Sequence, residues 1–153
     1  METQKPFDKS VDEECNMPLY TLGIASQLSE IPAHSIRQYI DEGLIIPFKL
    51  ESKRHLFSQK DIERLKLIRS YIRDRGLNFS GVRALMAMIP CWSIRECSED
   101  DRSSCGAYTD NFQPCWKASE KGRLCRNENC RDCEVYHSLD TETGIKAVLK
   151  TLL

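Results

Sequence analysis

The sequence predicts a mainly α-helical fold that carries a small, irregular, cysteine-rich module, and three observations predict it. Apolar residues recur at helical spacing in several stretches between Leu22 and Ile89. Two short apolar runs within residues 44–57 interrupt that series and read as a hairpin. Beyond Pro90 the periodicity stops, and seven cysteines, Cys91 to Cys133, crowd together among Gly, Pro, Asp and Asn.

Taken in order, residues 1–16 hold five acidic and two basic side chains with little apolar surface, and read as a disordered acidic arm. Leu22, Ile24, Ala25 and Leu28 predict a first helix, ended by a turn at Ile31 and Pro32. Pro32 suits the entrance of a second helix, where Ile36, Tyr39 and Ile40 recur before Gly43 terminates it. Two short helices joined by a brief turn form a helix-turn-helix. Leu44 to Phe48 and then Leu56 and Phe57, separated by residues 49–54, predict a small β-hairpin, or wing. Ser58 with Asp61 three residues on resembles a capping box and opens a helix over Gln59 to Arg75, with Ile62, Leu65, Ile68 and Ile72 as its stripe and Gly76 at its close. A fourth helix carries Val82, Leu85, Met86 and Ile89 until Pro90 prevents continuation.

The expected organisation is therefore a winged helix-turn-helix DNA-binding domain over 17–89, a cysteine-rich segment over 90–138, and a short amphipathic C-terminal helix within 139–153. That last helix starts near Thr141 and bears Ile145, Val148, Leu149 and Leu152. The cysteine-rich segment has too few aliphatic residues for an ordinary core, so it reads as a separately stabilised appendage held by bound metal.

The net charge of −1 hides a polarity along the chain. Residues 17–89 carry eleven basic and seven acidic side chains (+4), whereas 1–16 stand at −3 and 90–138 at −2. The basic excess falls where a phosphate-facing surface would be needed. No apolar run approaches the roughly 18 residues that span a bilayer, and the N-terminus lacks the apolar stretch of a secretory signal. A cytoplasmic protein with no membrane partner is expected.

The series helix, turn, helix, wing, long helix, helix carries recognisable residues. They are Tyr20-Thr21-Leu22-Gly23, Ser35-Ile36-Arg37-Gln38-Tyr39, Glu42-Gly43-Leu44-Ile45 and Phe57-Ser58-Gln59-Lys60-Asp61-Ile62-Glu63-Arg64-Leu65. From Tyr20 to about Ile89 the chain resembles the MerR family of transcription regulators, and Arg75 to Val82 looks most like its heat-shock-repressor branch. Where that family has two adjacent tyrosines and then Glu, this chain has Gln38, Tyr39 and Ile40. The resemblance implies a homodimer on double-stranded promoter DNA with inverted repeats, acting indirectly on RNA polymerase. Its second helix would enter the major groove and its wing would lie on the neighbouring backbone. On that reading Tyr20, Thr21, Ser35, Arg37, Gln38 and Tyr39 are candidate DNA contacts, and Lys53, Arg54 and His55 are candidate wing contacts. Arg37 can offer guanine or phosphate a bidentate fork, and the wing cluster supplies compact positive charge.

Without an export signal the surroundings are reducing, so clustered thiols point to metal binding or redox chemistry rather than disulfides. Soft thiolates suit zinc or an iron–sulfur cluster. Cys130 and Cys133 form a Cys-x-x-Cys pair, with Cys125 upstream and His137 downstream. Cys115, Cys125, Cys130 and Cys133 are the preferred ligand set, with Cys91, Cys97 and Cys105 as replacements or a second group. Iron–sulfur, zinc and metal-free redox thiols all remain open at this point. Pro90-Cys91-Trp92 recurs as Pro114-Cys115-Trp116, and the two tryptophans either shield a metal centre or anchor the module by packing. Cys15 reads as an incidental thiol. No thioredoxin-like βαβ context surrounds the Cys-x-x-Cys pair, so no enzyme is expected. The alternative function is an architectural or recombination-associated DNA-binding protein with a structural zinc site.

Overall fold

A computed structural model describes residues 13–139 and 144–152. The acidic arm expected over 1–16 and the helix start expected near Thr141 therefore lie largely outside the described residues.

The described part of the expected arm is helical over 13–15; a short strand, β1 (Tyr20–Thr21), then leads at once into α1 (Leu22–Ser29). Thr21 ends the strand and caps the helix, its hydroxyl accepting the Ile24 amide. Glu30, in a left-handed conformation, ends α1 (φ 59°), and Pro32 opens α2 (Ala33–Asp41). Gly43 then turns the chain with φ at +74°, a conformation that costs glycine little. The expected hairpin is present as β2 (Phe48–Lys49) and β3 (His55–Phe57). β1 joins it on the other side, giving an antiparallel sheet of order β1-β3-β2, with Tyr20 opposite Phe57 and Lys49 opposite His55.

Ser58 opens α3 (Gln59–Arg73) through a complete capping box. Its hydroxyl accepts the Asp61 amide at 3.1 Å, and its own amide donates to Asp61 Oδ2 at 2.8 Å. The helix ends two residues before the expected Arg75, and α4 (Phe79–Ala87) follows, capped by Asn78. Ala25, Ile36, Leu44, Phe57, Leu65, Ile68 and Val82 are fully enclosed, so the two-helix motif, the sheet and α3–α4 share one core.

The cysteine-rich segment folds into short turns rather than long elements: α5 (Cys91–Ile94), α6 (Glu99–Ser103), α7 (Gly106–Thr109) and α8 (Glu134–His137), with 3₁₀ turns at Cys115–Lys117 and Cys130–Asp132. It does not stand apart as an appendage, contrary to the expectation. Val135 and Leu139 enter the same core as the helix-turn-helix, as does Ile145 of the last helix, α9 (Gly144–Leu152). The few aliphatic residues of this region are spent on that shared core, which is why no separate periodicity was visible.

Replacing Ser58 by Ala removes a buried cap and leaves the Asp61 amide without its acceptor. Urea denaturation should show a loss of about 1–2 kcal/mol with an unchanged slope.

Candidate nucleic-acid interface and cysteine cavity

Helix α2 is amphipathic. Ile36 and Tyr39 face the core, while Arg37 and Gln38 are exposed on the opposite side and Ser35 is half-buried at the edge. Tyr39 is only 6% exposed and meets Phe79 edge to face, with ring centroids 6.1 Å apart. The family pattern placed this tyrosine among the DNA contacts; its spacing of three from Ile36 puts its ring on the packed face. Tyr39 also borders a surface groove with Ser35, Gln38, Arg69 and Arg73. Burial raises its phenol pKa, opposed by those two arginines. Lys53 and Arg54 are exposed at the hairpin tip, Lys53 with φ at +65°, and His55 is half-buried in β3. Thr21 is exposed, and half-buried Tyr20 directs its hydroxyl toward Gln59 Oε1 at 3.5 Å.

Between α2 and β2 runs the connection Gly43–Ile46, and here the two halves of the chain meet. Trp116 Nε1 donates to the Gly43 carbonyl at 2.7 Å. The Ile46 amide donates to the Tyr136 hydroxyl at 2.8 Å, and Arg131 Nη1 donates to the Ile46 carbonyl at 2.6 Å. Arg131 also donates to Asp61 Oδ1 at 3.0 Å, while its Nη2 stands 2.9 Å from Oδ2 as an ion pair. Arg64, from α3, donates to the Leu44 carbonyl at 3.0 Å and to the Tyr136 carbonyl at 2.8 Å. Its guanidinium lies 3.8 Å from the centre of the Tyr136 ring and 5.1 Å from that of Trp116. Burial lowers the Arg64 pKa, with the Tyr136 phenol and Asp61 acting the other way. Sequence reasoning missed Arg64, Trp116, Arg131 and Tyr136 as a group, because their partners lie 20 to 90 residues away.

All seven cysteines from Cys91 to Cys133 line one cavity of about 40 Å³, including every member of the preferred set and all three replacements. Arg95, Arg102 and Lys121 share its wall, and Lys121 Nζ reaches Cys130 Sγ at 2.9 Å. Cys15 lies elsewhere, and His137, which packs edge-on to Tyr136, is not part of the lining. Burial pushes the Cys115 thiol up to about 12, reinforced by Cys91, Cys133, Cys130 and Cys125. Burial likewise lifts Cys91 to about 11, with Cys97, Cys105 and Cys125 adding to it. Cys125 is raised by burial against the opposing pull of Arg95. The donor set fits a soft or borderline metal, with positive side chains at hand to offset thiolate charge. Among the described residues no three His, Cys, Asp or Glu side chains converge on one ion-sized point. A χ1 step between staggered wells moves a thiol sulfur by about 3 Å, so the fold supplies a common cavity rather than a finished ligand cage.

Comparison with known proteins places the first half of this arrangement. The model of the MerR helix-turn-helix family of regulatory proteins matches residues 20–89. Those residues are a MerR-family helix-turn-helix domain. The chain is similar to the HTH-type transcriptional regulators GlnR of Bacillus anthracis and Bacillus cereus, each 31% identical over 77 residues, which is 50% of this chain and 59% of theirs. It is also similar to a Streptomyces coelicolor protein described as heat shock protein HspR, 30% identical over 85 residues, 56% of this chain and 54% of that one. The chain thus spans little more than half the length of these relatives. The matched region ends at Ile89, so the MerR-type domain includes α2, the wing and Arg64 but none of the seven cavity cysteines. Among the described residues no helix is long and apolar enough to cross a membrane.

In metal-free protein, the elevated Cys115 and Cys91 thiols should resist alkylation. At pH 8, Cys115 should react at least about a hundredfold more slowly than a free cysteine peptide, because only the thiolate attacks. The linked stability has a defined sign. Folded-state pKa values of about 12 and about 11, against an ordinary 9.0, mean that the contribution is complete below pH 9 and is lost as pH climbs through 11 to 12. Thermal melts of metal-free protein between pH 8 and 11 should show the decline beginning above 9.

Proposed function

We propose that this chain is a sequence-specific, DNA-binding transcription regulator of the MerR type, working as a homodimer on double-stranded promoter DNA and only indirectly on RNA polymerase. The observation that carries the reading is the exposed pair Arg37 and Gln38 on a helix whose other face is locked into the core, within a region that matches a family of DNA-binding regulators. A helix held in this way presents its polar side chains to the major groove without a cost of ordering the backbone. Lys53 and Arg54 at the hairpin tip supply the phosphate contacts that set register. Two copies would place two such helices on the halves of an inverted repeat.

The cysteine cavity is the sensing half of the proposal. It takes a metal centre, an iron–sulfur cluster or zinc, held by Cys115, Cys125, Cys130 and Cys133 with Cys91, Cys97 and Cys105 as further donors. Support comes from seven thiols lining one cavity and from the cations beside them. Protein purified without oxygen should contain iron or zinc by elemental analysis, with visible absorption if the metal is iron–sulfur. A colourless protein lacking both would remove the metal half of the reading.

Gel-shift titrations on the DNA upstream of its own gene test the DNA-binding half. Arg37→Ala should weaken specific binding by about 1–3 kcal/mol and relax discrimination at one position of each half-site. Joint replacement of Lys53 and Arg54 by Ala should weaken binding on all sequences alike and reduce the salt slope by about 2. A footprint of several phased sites, in place of one centred on a promoter, would favour an architectural role.

A further inference from the structure

Three residues that contact the connection from α2 to the wing are placed within, or just after, the turns that carry cavity cysteines. Trp116 follows Cys115, Arg131 stands between Cys130 and Cys133, and Tyr136 lies three residues after Cys133. Their side chains hold the Gly43 carbonyl, both polar groups of the Ile46 backbone and the buried carboxylate of Asp61. The remaining carbonyl of this grip, that of Leu44, is taken by Arg64, which is itself bound to the Tyr136 carbonyl. The connection between the helix and the wing is thus held largely by side chains from the cysteine turns.

We propose that Trp116, Arg131 and Tyr136 are positioning residues that transmit the state of the cysteine cavity to the DNA-reading surface, by fixing the angle between α2 and the β2–β3 wing. The inference rests on the reading of that cavity as a metal site. Cys115, Cys130 and Cys133 lie on the same short turns as the gripping side chains, so ligand movement that closes or opens the site shifts those side chains with it. Such turns have little freedom to absorb the shift: the Cys115–Lys117 and Cys130–Asp132 segments are single 3₁₀ turns, and Val135 and Tyr136 beyond them are anchored in the interior. A rigid interior passes displacement on rather than damping it. The receiving segment is short, and it joins two elements that must meet DNA together. A small change in its path therefore alters both contacts at once. The coupling is one of geometry, because Trp116 and Tyr136 line the cavity with the cysteines while Arg37 and Lys53 do not.

The test uses full-length protein purified anaerobically, compared before and after metal is stripped with a chelator. Two readouts are followed: affinity for the upstream DNA, and hydrogen exchange of the Ile46 amide and of the wing. In the wild type, metal loading should change affinity by at least about fivefold, the low end of allosteric couplings. Stripping should accelerate exchange at Ile46. Tyr136→Phe keeps the ring but removes the acceptor of the Ile46 amide, and Trp116→Phe keeps an aromatic ring but removes the donor to Gly43. In the double variant, metal content and spectrum should match the wild type, while the affinity ratio between loaded and stripped protein falls below about twofold. The Ile46 amide should exchange fast in both states. If the double variant does not fold, Tyr136→Phe alone should show the same fast exchange at Ile46 and a reduced affinity ratio. A folded, metal-loaded variant that keeps the wild-type ratio overturns the transmission and leaves the metal reading standing. A wild-type protein with neither iron nor zinc overturns the metal reading, and the transmission with it.

Discussion

The buried ion pair between Asp61 and Arg131 ties the start of α3 to the cysteine turns. Both side chains are almost wholly enclosed, at 2% and 6% exposure, so each would be costly to bury alone. The cost is offset because every partner serves twice. Asp61 closes the capping box of α3 while it holds Arg131, and Arg131 satisfies the Ile46 carbonyl while it holds Asp61. Start of helix, path into the wing and placement of the Cys130–Cys133 turn thus share one electrostatic contact.

Arg64 extends the same contact inward. An arginine at 6% exposure on the buried face of a helix would be a defect were its fork not filled by two carbonyls and its plane not laid against Tyr136. Lysine could not do the same, since a point charge neither stacks on a ring nor spans two acceptors in a fixed plane. The aromatic pair Trp116 and Tyr136, edge to face with centroids 5.2 Å apart, completes a layer between the winged domain and the cysteine turns. Polar groups that would otherwise be stranded inside the protein are thereby satisfied by residues from both halves.

What was legible in the sequence follows from range. The four helices and the cap at Ser58 depend on neighbours within a few residues, and periodicity with turn chemistry located them to within about two positions, whereas the first strand of the hairpin begins at Phe48, four residues after the expected Leu44. β1 was missed because a two-residue strand has no period and exists only through Phe57 and Leu56, more than thirty residues away. Tyr39 shows a motif and a spacing in conflict: the family pattern put it on the DNA side, while its distance of three from Ile36 put it against Phe79. The cysteines were legible as a group but not as a geometry. Their spacings match no tight motif, yet short turns fold back so that Cys91 and Cys133 line the same space. Arg64 and Arg131 were invisible for the opposite reason, each being an ordinary charged residue whose partners are remote in the chain.

The shared core has a consequence for how such a protein can be recombined. The family match stops at Ile89, but the folding unit does not, since Val135, Leu139 and Ile145 fill the interior of the helix-turn-helix region. A chimera that joined residues 20–89 to a foreign C-terminal module would be left with a hydrophobic gap, an Asp61 carboxylate without its arginine and bare backbone groups at Gly43 and Ile46. Any replacement module would have to rebuild an aromatic, an arginine and a tyrosine at matching places before the junction could close. The helix-turn-helix region and the cysteine turns are in this sense a single folding unit.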